Sequence, residues 1–240
     1  MKIPVMHGSI DRRILVNFTA DPTEIQQLLP PVFRPKLQRG LAVAGICLIR
    51  LKHLKPKGFP DFMGLNSENG AHRIAVEWEE NGETKSGVYI PRRDTSSRLN
   101  AWLGGRFFPG RHYHADFDVR ETADSYHVAF DSTHHTQISI TARAIAQFPQ
   151  DSVFDHLDQA SAFFESGATG YSPNGSHELD GIQLHVYDWN VTPLEVTQVK
   201  ASFFEQNGIS VRFDNALLMT RAEHEWRSVR SMHIDRGHLT

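Results

Sequence analysis

The stretch Tyr113–Ala144, YHADFDVRETADSYHVAFDSTHHTQISITARA, decides the fold class. Within it Tyr113–Val119, Tyr126–Phe130 and Gln137–Ala144 are strand-like runs separated by polar turn residues, which predicts an antiparallel meander. Upstream, His72–Trp78 and Ser86–Ile90 read as two further strands, and Asn81-Gly82 between them suits a tight hairpin turn. The apolar run Leu41–Ile49, bounded by Arg39-Gly40 and Arg50, reads as a buried strand; it is far shorter than the roughly 20 residues that span a bilayer. Ile14–Phe18 favours a strand as well. Asp21-Pro22-Thr23-Glu24 then supplies an N-cap, a proline at the first helical position and a carboxylate at N3, and Pro30-Pro31 ends the short helix so begun.

Downstream, Thr95-Ser96-Ser97 predicts the cap of a second short helix carrying Leu99, Trp102 and Leu103 and stopped by Gly104-Gly105. Asp151 predicts the start of a third, with Val153, Phe154, Leu157, Ala160, Phe163 and Phe164 on its apolar face. Gly167–Gly181 reads as a polar loop able to serve as a lid. Strands are expected at Ile182–Tyr187, around Leu194–Phe204 and at Ala216–Thr220, while the last twenty residues are open between strand, helix and tail. The expected architecture is mainly β, a curved antiparallel sheet or barrel with a cavity and about three short helices. No repeat or linker divides the chain, so residues 1–240 are expected to form a single domain.

Composition narrows the function classes. The 240 residues carry 25 Lys and Arg against 28 Asp and Glu, a net charge of −3, so no overall positive field draws the protein to nucleic acid. Such a length suffices for a sizeable core without disulfide or metal staples. Cys47 is the one cysteine, placed in the apolar run where it would act as a small hydrophobe. With no apolar leader at Met1–His7, a cytoplasmic, non-membrane protein is expected, and the sequons at Asn17, Asn174 and Asn190 read as chance matches.

The nucleophile-elbow, P-loop and dinucleotide-binding glycine motifs are all missing, which leaves ordinary hydrolase, P-loop and dinucleotide readings with little support. Histidine is abundant, at 14 residues, and His112-Tyr113-His114 places two imidazoles on one face of an extended strand. With His134, His135 and Asp116 they could hold zinc or iron, although solvated strand-end histidines are the plainer reading. Arg92-Arg93 after Pro91 could clamp a carboxylate or phosphate, with the usual alternation turning one of the two outward.

Several pieces also occur in a telling order: Val16-Asn17-Phe18-Thr19-Ala20-Asp21 leading to Leu28-Leu29-Pro30-Pro31; Asn66-Ser67-Glu68 before Arg73-Ile74-Ala75-Val76; Gly87-Val88-Tyr89; and Gly105-Arg106 before His112-Tyr113-His114-Ala115. Near the C-terminus come Leu184-His185-Val186-Tyr187-Asp188 and Thr192-Pro193-Leu194. No single piece is specific, but their order over most of the chain resembles the acetoacetate decarboxylase-like superfamily, in particular its uncharacterised domain-of-unknown-function branch. The resemblance implies a cone-like antiparallel β barrel with an interior polar pocket. It also implies, in the true decarboxylases, a lysine pair after the Gly-Arg element, one of which forms a Schiff base with a β-keto acid. Tyr113 and His114 stand at about that pair here, and neither side chain can form the imine, which disfavours acetoacetate decarboxylation.

At the matched positions, Glu68 is similar to a pocket glutamate and Arg106 to the arginine after the family's glycine, while Phe107 replaces the acidic residue that follows. The resulting candidates are Glu68, His114 and Tyr113 as catalytic groups, with Arg106 and Arg92 as substrate-binding groups. A buried Glu68–Arg106 ion pair is the competing structural role. The expectation is a small-molecule pocket for an anionic or oxo-containing ligand, with acid–base chemistry of the lyase, dehydratase or isomerase type and no cofactor. The alternatives are a noncatalytic ligand-binding protein and a histidine–metal enzyme. Self-association into a homo-oligomer is compatible with the resemblance.

Overall fold

Asn81 and Gly82 both take positive φ, 53° and 80°, and turn β5 (Leu65–Glu80) back into β6 (Glu83–Thr95) as their dipeptide predicts. The structure, a computed structural model, describes residues 4–98, 101, 109–133, 135–174 and 177–234. Leu99, Trp102 and Leu103 of the predicted second helix, the candidate residue Arg106 and the possible metal ligand His134 lie outside those residues. The meander forms β7 (His112–Glu121), β8 (Ser125–Ser132) and β9 (Gln137–Ala144), paired antiparallel in sequence order. The apolar run extends into β4 (Leu41–Pro56), which pairs with β1 (Met6–Ala20) and β5.

The remaining elements are α1 (Pro22–Gln26), the two-residue strands β2 (Arg34–Pro35) and β3 (Leu37–Gln38), a 3-10 turn at Asp61–Met63, α2 (Leu157–Ser166), β10 (Thr169–Asn174), β11 (Glu178–Val186), β12 (Thr192–Ala201), α3 (Ser202–Gln206) and β13 (Val211–His233). The first helix begins as read: Asp21 accepts from the Thr23 amide at 2.7 Å, and Pro22 opens the turn.

Three elements differ from the sequence reading. Asp214 accepts from Ser152 Oγ at 2.7 Å and from the Val153 amide at 2.8 Å, which holds the chain in turns, so α2 starts at Leu157 instead of Asp151. The segment read as a polar lid contains β10 and the start of β11, with Gly170, Tyr171 and Ser172 buried. Strand β12 stops at Ala201, and Ser202–Gln206 turn into α3, which packs Phe203 and Phe204 into the core. The ambiguous C-terminal region is strand through His233.

Pairing among the described strands closes the sheet on itself. One ring runs β13-β1-β4-β5-β6-β7-β8-β9-β12 and back to β13. A second leaves β6 through β10 and β11 and also returns to β13, so both rings share the wall β13-β1-β4-β5-β6. Pairing is antiparallel except where β6 meets β7 and β10, both parallel. Two apolar clusters sit on the two sides of the shared wall. Ile14, Val16, Ile46, Leu48, Ile74 and Val76 belong to one, and Leu15, Cys47, Ile49, Leu51 and Ala75 to the other. Strand alternation puts neighbouring residues into different clusters, which is why a wall apolar on both faces reads as an almost continuous hydrophobic run.

Candidate functional site

The second ring encloses a cavity of about 310 Å³, lined from all seven of its strands and from the end of α2. Its polar end lies on the shared wall. Across β1, β4, β5 and β6 the register sets Leu15, Cys47, Ala71 and Arg93 in one row, with Arg13 and Ile49 in the row on one side and Gly45 and Arg73 in the row on the other. Small residues at positions 45, 47 and 71 thus make a shallow floor beside which Arg13, Arg73 and Arg93 stand. A Cβ on Gly45 would meet the Val16 carbonyl oxygen at 2.2 Å, so the strands approach more closely there than any side chain permits.

Among the described residues these three guanidinium groups have no carboxylate partner. Arg73, 5% exposed, donates to Asn17 Oδ1 and lies 4.8 Å over the Phe164 ring, and its Nε meets no acceptor. Arg93 donates from Nε to the Pro109 carbonyl at 3.0 Å and reaches Ser172 Oγ at 3.5 Å. Arg13 donates from Nε to Cys47 Sγ at 3.2 Å and lies 5.4 Å from the centre of the Trp189 ring, while its buried Nη1 has no acceptor. Burial pushes Arg73 and Arg93 down to about 10, a measure of how poorly this environment replaces water around them. A buried cation left in this way, as Arg73 is, costs several kcal/mol. An anion entering between the three arginines would satisfy donors, Arg13 Nη1 and Arg73 Nε, that the described residues leave open.

Beyond the arginines, Leu51, Leu54, Ile182, Leu184, Trp189 and Trp226 form apolar walls, and exposed Glu165 and His185 stand at the rim. His112 reaches the cavity from the first residue of β7, and Asp94 from β6. No lysine is among the described residues lining it. A group of three or more His, Cys, Asp or Glu able to hold a metal does not occur among the described residues.

The residues singled out from sequence occupy other places. Glu68 pairs with Arg12 at 2.6 Å and with Arg50, and Glu121 bridges the same two arginines. Arg12 is 2% exposed, so this network holds a buried cation in the first ring. Arg92 forks onto Asp94, with contacts of 2.7 to 3.1 Å, donates to Ser132 and lies 4.1 Å over the Tyr113 ring. The structure therefore brings Arg92 and Tyr113 together, but neither lines the cavity. His114 is partly buried beside Thr95 and is likewise not in the lining.

The side chains that sequence reasoning passed over, Arg13 and Arg73, each follow a basic residue, as Arg93 does. Arg12-Arg13, His72-Arg73 and Arg92-Arg93 are three adjacent pairs on three strands of the shared wall. In each pair the second member faces the cavity. Buried His72 packs 4.3 Å from the Phe203 ring in the first ring, and burial pushes it down to about 3.

Comparison with known proteins agrees with this architecture. The family model DUF2071, described as an uncharacterized conserved protein, matches residues 9–224. An acetoacetate decarboxylase from Legionella pneumophila superposes with a TM-score of 0.59 at 11% identity, over 95% of this chain and 88% of that one. The enduracididine biosynthesis enzyme MppR, in complex with pyruvate, gives 0.59 at 11% identity over 98% and 92%. An acetoacetate decarboxylase-like enzyme from Sphingomonas wittichii gives 0.57 at 12% identity over 98% and 94%. No curated protein sequence matches the chain. At these identities the structural likeness concerns the fold.

Proposed function

The chain belongs to the DUF2071 family, and on that footing we propose that it is an acetoacetate decarboxylase-like protein whose second-ring cavity binds a small organic anion. The observation that carries this reading is the trio Arg13, Arg73 and Arg93, which stands in one cavity with no carboxylate partner among the described residues, Arg13 Nη1 and Arg73 Nε being buried donors left unmet. Planar guanidinium forks suit a carboxylate, and a water-poor apolar surround strengthens each such contact. The complex of MppR with pyruvate shows that a protein of similar fold accepts a small oxo acid.

Where the bound acid is turned over, His112 and Glu165 are the groups of this cavity suited to moving a proton, and Arg73 and Arg93 would hold the carboxylate. No imine is needed for such acid–base chemistry, in keeping with a lining that lacks lysine among the described residues. A noncatalytic binding role uses the same three arginines and differs only in forming no product. A reducing, cytoplasmic setting fits the free thiol of Cys47.

Calorimetric titration with a panel of small carboxylic acids and their amides tests the proposal. Acids should bind and the matched amides should not, and Arg73→Met should weaken the acids at least tenfold, because a charge-assisted hydrogen bond contributes about 1.5–3 kcal/mol. Equal binding of acids and amides, or unchanged affinity in Arg73→Met, would remove the arginines from the site.

A further inference from the structure

We propose that the anion taken by this cavity is an amphipathic acid: a carboxylate held among Arg13, Arg73 and Arg93, joined to an apolar chain of several carbons that lies against Leu51, Leu54, Leu184 and Trp226. This rests on the anion-binding reading above and adds the chemical class of the ligand. The strand register supplies the geometry. Cys47, beside the arginines, and Leu51 are four residues apart on β4, about 13 Å along an extended strand. Leu54 lies further on in the same direction, and Trp226 of β13 pairs with both Met6 and Leu184 at that end of the ring.

A two- or three-carbon acid would fill only the arginine end. It would leave the leucine and tryptophan side chains of the far walls facing water or empty space. Neither is favourable, since apolar walls hold water poorly and a void forfeits contacts on one side. The cavity volume, about 310 Å³, falls at the lower end of the range typical of sites for drug-sized organic ligands. The charges add a second constraint. Because the unpaired arginines gather near Cys47 and the apolar side chains continue along β4, the site distinguishes the two ends of a ligand.

Titration of the full chain with acetate, pyruvate, octanoate and octanamide tests this directly. Each buried methylene is worth about fourfold in affinity, so octanoate should bind at least thirtyfold more tightly than acetate, and octanamide at least tenfold more weakly than octanoate. Trp226→Ala should weaken octanoate several-fold and leave acetate within twofold. Its circular dichroism and melting point report whether it folds, and Leu54→Gln provides a second variant at the same end. Acetate or pyruvate binding as tightly as octanoate would overturn the amphipathic class while leaving the anion site in place. Octanamide binding as tightly as octanoate would overturn the anion site itself. Failure of every acid to bind would overturn both.

Discussion

Arg73 illustrates how one residue can work against stability in favour of binding. It is buried, and its guanidinium meets an amide oxygen and an aromatic face but no carboxylate among the described residues. Replacing such an uncompensated charge with an apolar chain of similar length removes a desolvation cost. Arg73→Met should therefore raise unfolding free energy by about 1–3 kcal/mol while it weakens anion binding at least tenfold. Urea titration of the two proteins checks the first half, and a destabilised variant would show that Arg73 serves the fold. His72, its neighbour on the other side of the wall, makes a pH prediction. Its folded value near 3 lies below the ordinary 6.5, so between those values the unfolded chain binds more protons than the folded one. Its contribution is complete above pH 6.5 and is lost as pH falls, by up to about 1.4 kcal/mol per unit. His224, pushed down to about 4 by burial, acts in the same direction. Unfolding free energies at pH 7, 6 and 5 should fall less steeply in His72→Leu, and an unchanged slope would contradict the assignment.

The strands explain what could be read in advance. Alternation and turn residues marked the meander and the Asn81-Gly82 hairpin because both signals are local. The lid assignment failed at β10 because Thr169–Asn174 contains glycine and proline, and its pairing with β6 and β11 is set by partners distant in sequence. Likewise, nothing local says which side of a wall apolar on both faces an arginine will occupy. The Arg92-Arg93 alternation was legible as a principle, yet both side chains point inward, each toward a different ring. Glu68 drew attention through its similarity to a pocket glutamate, whereas its partners Arg12 and Arg50 lie on two other strands and Glu121, which shares them, on a third. The seam that closes the second ring is narrow. A Cβ on Gly87 would meet the Thr169 carbonyl oxygen at 2.4 Å and the Trp78 ring at 3.1 Å. Gly87→Ala should cost about 1–3 kcal/mol, measured by chemical denaturation, because β10 must move away from β6. A neutral effect would show that this contact does not hold the ring closed.

At the scale of the whole molecule, two rings on one shared wall divide the polar residues between two roles. Within the first ring Glu68 and Glu121 hold the buried Arg12 and the partly exposed Arg50; in the second, Arg13, Arg73 and Arg93 have no carboxylate partner among the described residues. Glu68→Gln should therefore lower stability by about 3 kcal/mol, as expected when a buried ion pair loses one partner, without changing affinity for carboxylates. A loss of anion binding at unchanged stability would assign Glu68 to the site instead. The central claim, that the cavity gathers anions beside Cys47, has a direct reporter in that single cysteine. The measurement is the rate at which Cys47 reacts with iodoacetate and with iodoacetamide, followed by intact mass. The three arginines predict faster labelling by the anionic reagent, slowed by saturating carboxylate and lost in Arg73→Met. Faster labelling by the neutral reagent, or no labelling by either, would contradict an anion site at this wall.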